Sequence, residues 1–239
     1  MASLDSERAR LADIAHSFSS QDGFNARMID TRFRAIRPWL AGATSCLELG
    51  CSDGRMTALL APEVERLTAV DGSAAFVDAI HAALPGVDAV AALFEEFVAA
   101  EPYDVAVLAH VLEHVDDAVE VLRSAARALR PGGRVIVTVP NAHSLHRQIG
   151  VILGLLSHPA ELNEGDLRIG HRRVYSRDEL VADVEAAGFT TVHVGGIFLK
   201  PLSDSQIERQ WSPELIDAFH VLGDSYPDIC ANLLVVGER

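Results

Sequence analysis

Short apolar runs alternate with longer segments in which apolar positions recur at helical spacing along the middle of the chain. Such nearly continuous apolar runs are typical of strands buried on both faces of a parallel sheet. The pattern predicts strands near residues 45–49, 67–70, 88–92, 104–109 and 134–139. It predicts helices near residues 55–60, 74–83 and 118–129. Strands that alternate with helices in this order predict an α/β fold with helices on both faces of the sheet.

Two helical patterns precede the first strand, over residues 5–40. Pro38 ends the second of them, because proline has no N–H to donate and its ring clashes inside a helix. We therefore predict an N-terminal helical cap, residues 1–40, and an α/β domain, residues 41–239. The apolar positions that share one face in each helix are Leu11, Ile14, Ala15 and Phe18, and then Met28, Ile29, Phe33 and Ile36.

The chain changes character after the fifth strand. Residues 141–175 show little strand pattern, and so long a connection usually has a function of its own, so we expect a lid here. Ser176 and Glu179 have the spacing of a capping box that opens the next helix. Two final strands, near 190–198 and 229–236, complete the predicted sheet.

The acidic composition limits the classes of partner. The chain of 239 residues has a formal net charge of −14 and a pI near 5.0, and its only lysine is Lys200. Nucleic acids and anionic membrane surfaces attract basic patches, so neither is expected as a partner. A small neutral or cationic molecule fits this charge better.

No membrane or export signal is visible in the sequence. The first residues lack a signal-peptide pattern, and the longest apolar run, Ile149 to Leu156, is too short to span a bilayer. Cys46, Cys51 and Cys230 have no metal-binding spacing and an odd count, so no disulfide frame is expected. We predict a cytoplasmic protein without a membrane span, and we keep a homodimer as an open alternative for its quaternary state.

A glycine-containing loop follows the first predicted strand. Gly50 and Gly54 lie in this loop, where glycine tolerates positive φ and lets a ligand approach the bare backbone. Asp71 stands twenty-one residues after Gly50 and closes the second strand. An acid at that strand end meets the ribose hydroxyls of a nucleoside. The combination predicts a nucleoside-cofactor site.

The loop also discriminates between cofactors. A dinucleotide fingerprint has a third glycine that packs the helix, and the pyrophosphate lies over the helix N-terminus. Here Glu48 precedes the first glycine, and position 55 holds arginine. A carboxylate repels a diphosphate and suits the ammonium group of an amino acid. A nicotinamide-dependent oxidoreductase is therefore disfavoured.

At this point the chain resembles the class I S-adenosylmethionine-dependent methyltransferases, whose first motif reads E/D-x-G-x-G-x-G. Ser52 replaces the middle glycine, which is a departure from the motif. The resemblance implies a Rossmann-like, mostly parallel sheet of seven strands that includes a terminal antiparallel one. It also implies S-adenosyl-L-methionine as the cofactor and S-adenosyl-L-homocysteine as the product. The region after residue 140 is similar to bacterial small-molecule enzymes related to the ubiquinone-pathway methyltransferases.

The resemblance assigns cofactor contacts to individual residues. It places Glu48 at the ammonium and Asp71 at the ribose. Leu93 stands where many related enzymes carry an acid for adenine, so packing by Leu93 and Phe94 is expected to hold the base instead. Arg32, or alternatively Arg27, meets the methionine carboxylate. The full set of predicted cofactor residues is Glu48, Gly50, Cys51, Ser52, Gly54, Asp71, Gly72, Leu93, Phe94, His110, Val111, Phe24, Met28 and Arg32.

Residues 110–114 read His-Val-Leu-Glu-His, which is also the spelling of an inverted zinc-peptidase motif. That motif needs both histidines inside one helix. Here a predicted strand runs straight into His110, so we disfavour the peptidase. In the methyltransferase interpretation His110 lies beneath the methionine portion of the cofactor, and His114 points at the acceptor. Several methyltransferases that resemble this chain carry a histidine there as the proton acceptor.

A histidine near the acceptor favours methylation of oxygen. Methyl transfer aligns donor and acceptor at about 3 Å, and a hydroxyl is a poor nucleophile until its proton leaves. An imidazole is suited to remove that proton near neutral pH. His114 is the preferred base, and His171 and His143 are further candidates. We predict a hydroxyl of a small natural product or sugar as the acceptor, with a small amine or peptide as the alternative.

The loop histidines raise the question of a metal ion. His143, His146, His158 and His171 lie with Glu164 and Asp166 in the predicted lid. Their spacing matches no metal-ligand pattern, so no metal is predicted.

Overall fold

A computed structural model of the protein describes residue 21 and residues 23–239. The first predicted helix, with Leu11 to Phe18, lies outside the described residues. The second is present as α1, Gly23–Ile36, and Pro38 falls in a 3-10 turn directly after it. The division at residue 40 stays a prediction.

Seven strands form one sheet in the described part of the chain. The sheet order is β3-β2-β1-β4-β5-β7-β6, with β1 to β5 parallel and β7 antiparallel to both of its neighbours. The predicted α/β fold with a mostly parallel sheet is confirmed. The strands are β1 Ser45–Leu49, β2 Arg66–Asp71, β3 Asp88–Ala91, β4 Tyr103–Ala109, β5 Leu129–Pro140, β6 Thr190–Ile197 and β7 Asn232–Glu238.

Helices cover both faces of this sheet. Helices α1, α2, α3, α8 and α9 contribute to the core on one face, and α4 and α7 to the core on the other. The capping box is confirmed, since Ser176 and Glu179 exchange hydrogen bonds at the start of α7. The helices after α1 are α2 Arg55–Leu60, α3 Ala74–Ala83, α4 Ala118–Ala128, α5 Leu145–Ile152, α6 Glu164–Arg168, α7 Arg177–Ala186, α8 Asp204–Gln210 and α9 Pro213–Gly223.

Successive residues of a strand face opposite sides of the sheet, and this alternation builds two cores. Along β1, Cys46 belongs to the core under α1 to α3, whereas Leu47 and Leu49 belong to the core under α4 and α7. Glu48 has the same parity as Cys46, and it is buried on that side. This placement becomes important at the site.

Strand β5 is longer than its apolar run predicts. It begins at Leu129 rather than near 134, because Leu129 pairs with Tyr103 before the register shifts at an irregularity and Arg134 pairs with Val105. A Cβ at Gly133 would approach the Asp104 carbonyl to 3.1 Å, so a glycine suits this crowded step. Strand β7 also lies later than predicted, and β3 and α4 each end one residue earlier.

A network of hydrogen bonds closes the amino edge of the sheet. The Asp104 carboxylate accepts from the backbone N–H groups of Thr44 and Ser45 at 2.8 and 3.0 Å. Both of their hydroxyls donate to it as well, and Arg130 Nε lies 2.6 Å away. The Arg130 guanidinium is the main reason that the pKa of Asp104 lies well below its usual range.

The described residues, 21 and 23–239, include no helix whose length and apolar character are sufficient to cross a bilayer. The predicted lid, residues 141–175, contains two short helices, α5 and α6.

Candidate active site

A cleft of about 650 Å³ opens at the carboxyl ends of the parallel strands. The loops after β1, β2 and β4 form its floor, while α1 and the segment from α5 to His171 supply walls. Ligands of open α/β sheets bind at this edge, and the volume is in the range of small-molecule sites.

The loop after β1 adopts left-handed backbone conformations at three positions. Gly50 has φ +83°, and a Cβ there would come within 2.6 Å of the Val111 side chain. Gly54 has φ +87° and forms the N-cap of α2. Ser52 has φ +47°, a left-handed backbone conformation that glycine adopts more readily. The methyltransferase motif has a glycine at this position. The loop therefore brings bare backbone to the cleft.

Asp71 ends β2 and lines the cleft next to this loop. Its carboxylate accepts hydrogen bonds from the backbone N–H of Ser52 at 3.1 Å and from that of Ser73 at 2.9 Å. Burial raises the pKa of Asp71, and these backbone donors oppose that effect. The aspartate is thus held in a fixed orientation at the strand end.

Glu48 lies under the loop rather than at the surface of the cleft. Its carboxylate is buried, and neither oxygen meets hydrogen-bond geometry with another described group. The nearby Thr57 hydroxyl favours the ionised form, but burial dominates and raises the pKa of Glu48 to about 8. In this structure Glu48 therefore holds its proton at neutral pH. The strand parity of β1 explains why it points into the core.

His110 lies between the side chains of Arg32 and Glu113. Its backbone has φ +61°, and residues 111–114 form a turn, so the two histidines of the peptidase spelling do not share a helix. Nη1 of Arg32 lies 3.2 Å from Nε2 of His110, and Nδ1 of His110 lies 3.0 Å from Oε1 of Glu113. Because arginine only donates, Nε2 accepts and the ring proton is on Nδ1, facing Glu113.

Burial and the neighbouring charged groups determine the protonation states of Arg32, His110 and Glu113. Burial, and then the Arg32 charge, lower the pKa of His110 to about 4. Burial alone would raise the pKa of Glu113, but His110, His114 and His171 lower it, so Glu113 is ionised. Burial lowers the pKa of Arg32 to about 10, which leaves it charged. Its Nε is buried, and no described residue provides a hydrogen-bond partner for it.

Two histidines meet at the side of the cleft beside Glu113. The rings of His114 and His171 pack edge to face, with their centroids 4.8 Å apart. Glu113, His114 and His171 each offer a ligand-type atom, and these atoms lie within 4.8 Å of one another. Nitrogen and carboxylate donors of this kind can hold a transition-metal ion or exchange a proton with a substrate.

The structure brings most of the predicted site residues to the cleft. Those that line it are Gly50, Cys51, Ser52, Asp71, Gly72, Leu93, Phe94, His110, Val111, Met28, Arg32, His114 and His171. Arg27, the alternative to Arg32, does not line it.

Besides Glu48, three predicted residues lie away from the cleft. Phe24 is a core residue whose ring packs edge-on against Phe198 at 6.3 Å. Gly54 starts α2 behind the loop. His143 precedes α5, which begins at Leu145, and lines a separate depression next to Ser176. Of the three histidines predicted as bases, His114 and His171 are therefore together, and His143 is apart.

Arg147 and Asp166 are among the cleft residues that were not predicted as site residues from the sequence. Arg147 and Asp166 line the wall that the lid segment provides, and both side chains are largely buried. Asp166 attracted attention only as a candidate metal donor. The sequence gives little other indication of a role for Arg147 or Asp166, because it does not show that these charged residues are buried.

The sheet order, the antiparallel β7 and a cleft above the loops after β1 and β2 define a class I methyltransferase architecture. A family model described as a methyltransferase domain matches residues 8–194. The chain therefore belongs to this methyltransferase family and is an S-adenosylmethionine-dependent methyltransferase.

Two curated relatives and one solved structure illustrate the similarity. The ubiquinone biosynthesis O-methyltransferase of Aeromonas salmonicida is 30% identical over 170 residues, 66% of this chain and 68% of the relative. The trans-aconitate 2-methyltransferase of an Azoarcus species is 32% identical over 135 residues, 51% of this chain and 53% of the relative. These alignments span only about half to two thirds of each relative's own length.

The solved structure is the N-methyltransferase NodS from Bradyrhizobium japonicum in complex with S-adenosyl-L-homocysteine. It superimposes with a TM-score of 0.59 at 17% identity, over 92% of this chain and 90% of NodS. At this level of identity the likeness establishes the fold.

The cofactor of the family is S-adenosylmethionine, and the cleft fits it on physical grounds. The backbone of the Gly50 loop is accessible, and an acid stands at the end of β2. Leu93 and Phe94 provide an apolar wall for a base. Arg32 carries a buried N–H that has no partner among residues 21 and 23–239, and a ligand carboxylate would satisfy it.

Proposed function

We propose that this methyltransferase methylates a hydroxyl oxygen of a small-molecule acceptor, with a histidine of the His114–His171 pair as the general base. The observation that carries the proposal is that His114 and His171 line the same cleft as Asp71 and the Gly50 loop, with the buried carboxylate of Glu113 directly beside them. An ionised carboxylate next to two imidazoles is an arrangement that accepts and holds a proton.

The residues of the nucleoside end have separate roles in this proposal. Asp71 accepts hydrogen bonds from the ribose hydroxyls, and Leu93 and Phe94 pack on the adenine. Arg32 donates to the methionine carboxylate. His110 stays neutral and braces Arg32 through its Nε2. Glu48 is buried beneath the loop, keeps its proton at neutral pH and does not line the cleft, so it receives no direct contact with the ammonium in this proposal.

The reaction needs alignment, exclusion of water and proton removal. S-adenosylmethionine supplies an electrophilic methyl group on a sulfonium, and the cleft walls position the acceptor in line with it. The histidine takes the hydroxyl proton as the oxygen forms its new bond. A positioned base contributes about 10²–10⁴ in rate to such a step.

The acceptor chemistry separates this proposal from its alternatives. A carboxylate acceptor is already a nucleophile, and a neutral amine can lose its proton after transfer, so neither needs a base before transfer. NodS is named an N-methyltransferase, and the Azoarcus relative is named for trans-aconitate. The relative with the longer alignment of the two curated proteins is named an O-methyltransferase. The histidine pair favours the hydroxyl.

A radiolabelled methyl-transfer assay tests the proposal. The panel contains catechols, hydroxybenzoates, sugars, primary amines and carboxylic acids. We expect label in hydroxyl compounds, and a loss of about 10²–10⁴ in kcat for His171→Gln and His114→Gln together. The affinity of this double variant for S-adenosyl-L-homocysteine should stay within about twofold of wild type, since the proposed ribose and carboxylate contacts are intact. Labelled amines alone, or a double variant with full activity, would contradict the proposal.

Light scattering after size exclusion addresses the open homodimer alternative, which has no bearing on the acceptor class.

A further inference from the structure

On the basis of the proposed function, which it deepens, we infer that Asp166 and Arg147 are positioning residues that hold His171 in the tautomer of a general base. This assigns the base role to His171 in preference to His114. The inference rests on a continuous set of contacts from α5 through α6 to the cleft.

His171 is hydrogen-bonded to Asp166 through its backbone, and its ring nitrogen Nδ1 lies near the Asp166 carboxylate without meeting hydrogen-bond geometry with a described group. The backbone N–H of His171 donates to the Asp166 carbonyl at 2.9 Å, and Nδ1 of His171 lies 3.4 Å from Oδ1 of Asp166. The His171 side chain is only 7% exposed, yet it lines the cleft. A contact of 3.4 Å is long for a hydrogen bond, and catalytic hydrogen bonds often shorten when the substrate binds.

The other oxygen of Asp166 is fully engaged. Its Oδ2 accepts from Nη1 of Arg147 at 3.1 Å and from the backbone N–H of Asn163 at 3.0 Å. The carboxylate therefore has a defined orientation, with Oδ2 toward α5 and Oδ1 toward His171. Burial acts to raise the pKa of Asp166, but its contacts with His171, Asn163 and Arg147 lower it to about 2. Asp166 is thus an acceptor without a proton.

Arg147 fixes the segment that carries Asp166. Its Nε donates to the Pro159 carbonyl at 2.7 Å, and its Nη2 donates to the Glu161 carbonyl. With the bond to Asp166, the planar guanidinium joins three points of the loop that precedes His171. A lysine has one nitrogen on a flexible stem, so it cannot reproduce this fork. Arg147 is 5% exposed, which is rare for an arginine with only a structural surface role.

These contacts determine where the imidazole carries its proton. Because Asp166 only accepts, the neutral ring of His171 has its proton on Nδ1. Nε2, on the far side of the ring from Asp166, keeps its lone pair. As the acceptor oxygen bonds to the methyl carbon, its proton passes to Nε2. The electron pair of the broken carbon–sulfur bond stays on sulfur, and Asp166 stabilises the imidazolium.

Asp166→Asn tests this inference with almost no change in shape. Arg147 and the Asn163 N–H both donate to the Oδ2 position, so the amide oxygen of the variant must occupy it. The amide nitrogen then faces Nδ1 of His171 and donates to it. Nδ1 becomes an acceptor, and the ring proton moves to Nε2, which removes the basic lone pair.

The tautomer is measured directly, with and without S-adenosyl-L-homocysteine. Long-range ¹H–¹⁵N spectra at pH 8.5 distinguish the two ring nitrogens, and the signals missing in His171→Gln assign the ring. We expect the Nδ1–H form in wild type and the Nε2–H form in Asp166→Asn. Asp78→Asn, an exposed acid on α3, is the matched control and should resemble wild type. An Nε2–H form in wild type, or no change in Asp166→Asn, overturns the inference.

Kinetics provide the second readout on the hydroxyl acceptor found in the panel. Asp166→Asn should lower kcat by about 100-fold or more, with the KM for S-adenosylmethionine within about twofold of wild type. Arg147→Lys should lower kcat less, because it keeps a charge near Asp166 but loses the carbonyl contacts. If both variants only lower the melting temperature and leave kcat intact, the contacts are purely structural and the inference is wrong.

The two proposals can fail separately. Calorimetry that finds no binding of S-adenosyl-L-homocysteine, or label in amines alone, counts against the proposed function. The tautomer is read on the protein itself, so it still decides whether Asp166 sets the ring proton of His171.

Discussion

The two edges of the same sheet differ in whether their buried and half-buried polar groups have hydrogen-bond partners. At the amino edge, the Asp104 carboxylate is surrounded by donors from Thr44, Ser45 and Arg130. At the carboxyl edge, the described residues include polar atoms with no hydrogen-bond partner, among them both oxygens of Glu48 and Nε of Arg32. Native proteins rarely leave such groups unsatisfied without a reason.

The difference separates a structural network from a binding site. A satisfied network stabilises the fold by itself, whereas unsatisfied atoms at a cleft gain their partners from a ligand. The comparison makes opposite predictions for acids at the two edges. Removal of an acid at the amino edge should reduce stability and spare cofactor binding, whereas removal of the acid that lines the cleft should weaken cofactor binding.

The largest effect is expected at the carboxyl edge, for Asp71→Ala. The substitution removes an acceptor for two ribose hydroxyls, and hydrogen bonds to a charged group contribute about 1.5–3 kcal/mol each. We expect the affinity for S-adenosyl-L-homocysteine to fall by about 100-fold or more in isothermal titration calorimetry. The melting temperature should also fall, because the backbone N–H groups of Ser52 and Ser73 lose their acceptor, so the affinity is measured at a temperature where the variant is folded.

Asp78→Ala is the control for this change, since Asp78 is an exposed acid on the next helix. Its affinity should equal that of wild type. Unchanged affinity in Asp71→Ala would mean that the acid at the end of β2 does not contact the cofactor.

The next largest effect is expected at the amino edge, for Asp104→Ala. The variant leaves two backbone N–H groups and Arg130 to find water, and we expect a loss of about 2 kcal/mol in the free energy of unfolding by urea denaturation. The pKa of Asp104 is depressed in the folded state, so its contribution is full above the ordinary pKa near 4 and is lost as the pH falls below it. The difference between variant and wild type should therefore shrink in acid.

Glu101→Ala provides the control, because Glu101 is exposed just before β4. The affinity of Asp104→Ala for S-adenosyl-L-homocysteine should match that of wild type in the folded protein. A tenfold loss of that affinity would show that the two edges are not independent and would break the comparison.

Local signals explain what could be predicted from the sequence. The apolar runs predicted the parallel strands because each run places apolar side chains on both faces of its strand. The loop with Gly50 and the acid Asp71 were predicted because both follow strands, and parallel strands place their carboxyl ends at one edge. These inferences need no knowledge of which distant segments meet.

The rest depended on contacts between distant parts of the chain. The Arg147–Asp166–His171 contacts join α5, the short helix α6 and the segment after α6, which show no periodicity in the sequence, so only the structure places them together. His143 was predicted as a candidate base, but it precedes α5, which starts at Leu145 after the N-cap Ser144, and it does not reach the cleft.

The alternation of side chains along β1 already predicts that Glu48 is buried. The glycine-loop motif led to the opposite prediction, that Glu48 faces the ligand. Glu48 alternates with Leu47 and Leu49 along β1, and this parity puts it on the face of Cys46, in a core. The motif alone placed it at the mouth of the loop. Strand parity is therefore the better guide to whether a motif acid is exposed to a ligand or buried beneath one.

The smallest effect, and the one of opposite sign, is expected for Glu48→Gln. Burial raises the pKa of Glu48 to about 8 in the folded state, whereas the unfolded chain has the ordinary value near 4.5. Between these values the unfolded state has lost the proton that the folded state keeps, so the stability contributed by Glu48 falls as the pH rises from about 4.5 to 8. Glutamine does not ionise in either state. We therefore expect the variant to gain stability over wild type at pH 8 and less at pH 5, measured by urea denaturation at both values. Glu65→Gln, an exposed acid before β2, should show no such pH dependence. If Glu48→Gln loses stability at pH 8 as Asp104→Ala does, then the Glu48 carboxylate is satisfied after all, and the contrast between the two edges does not hold at the first strand.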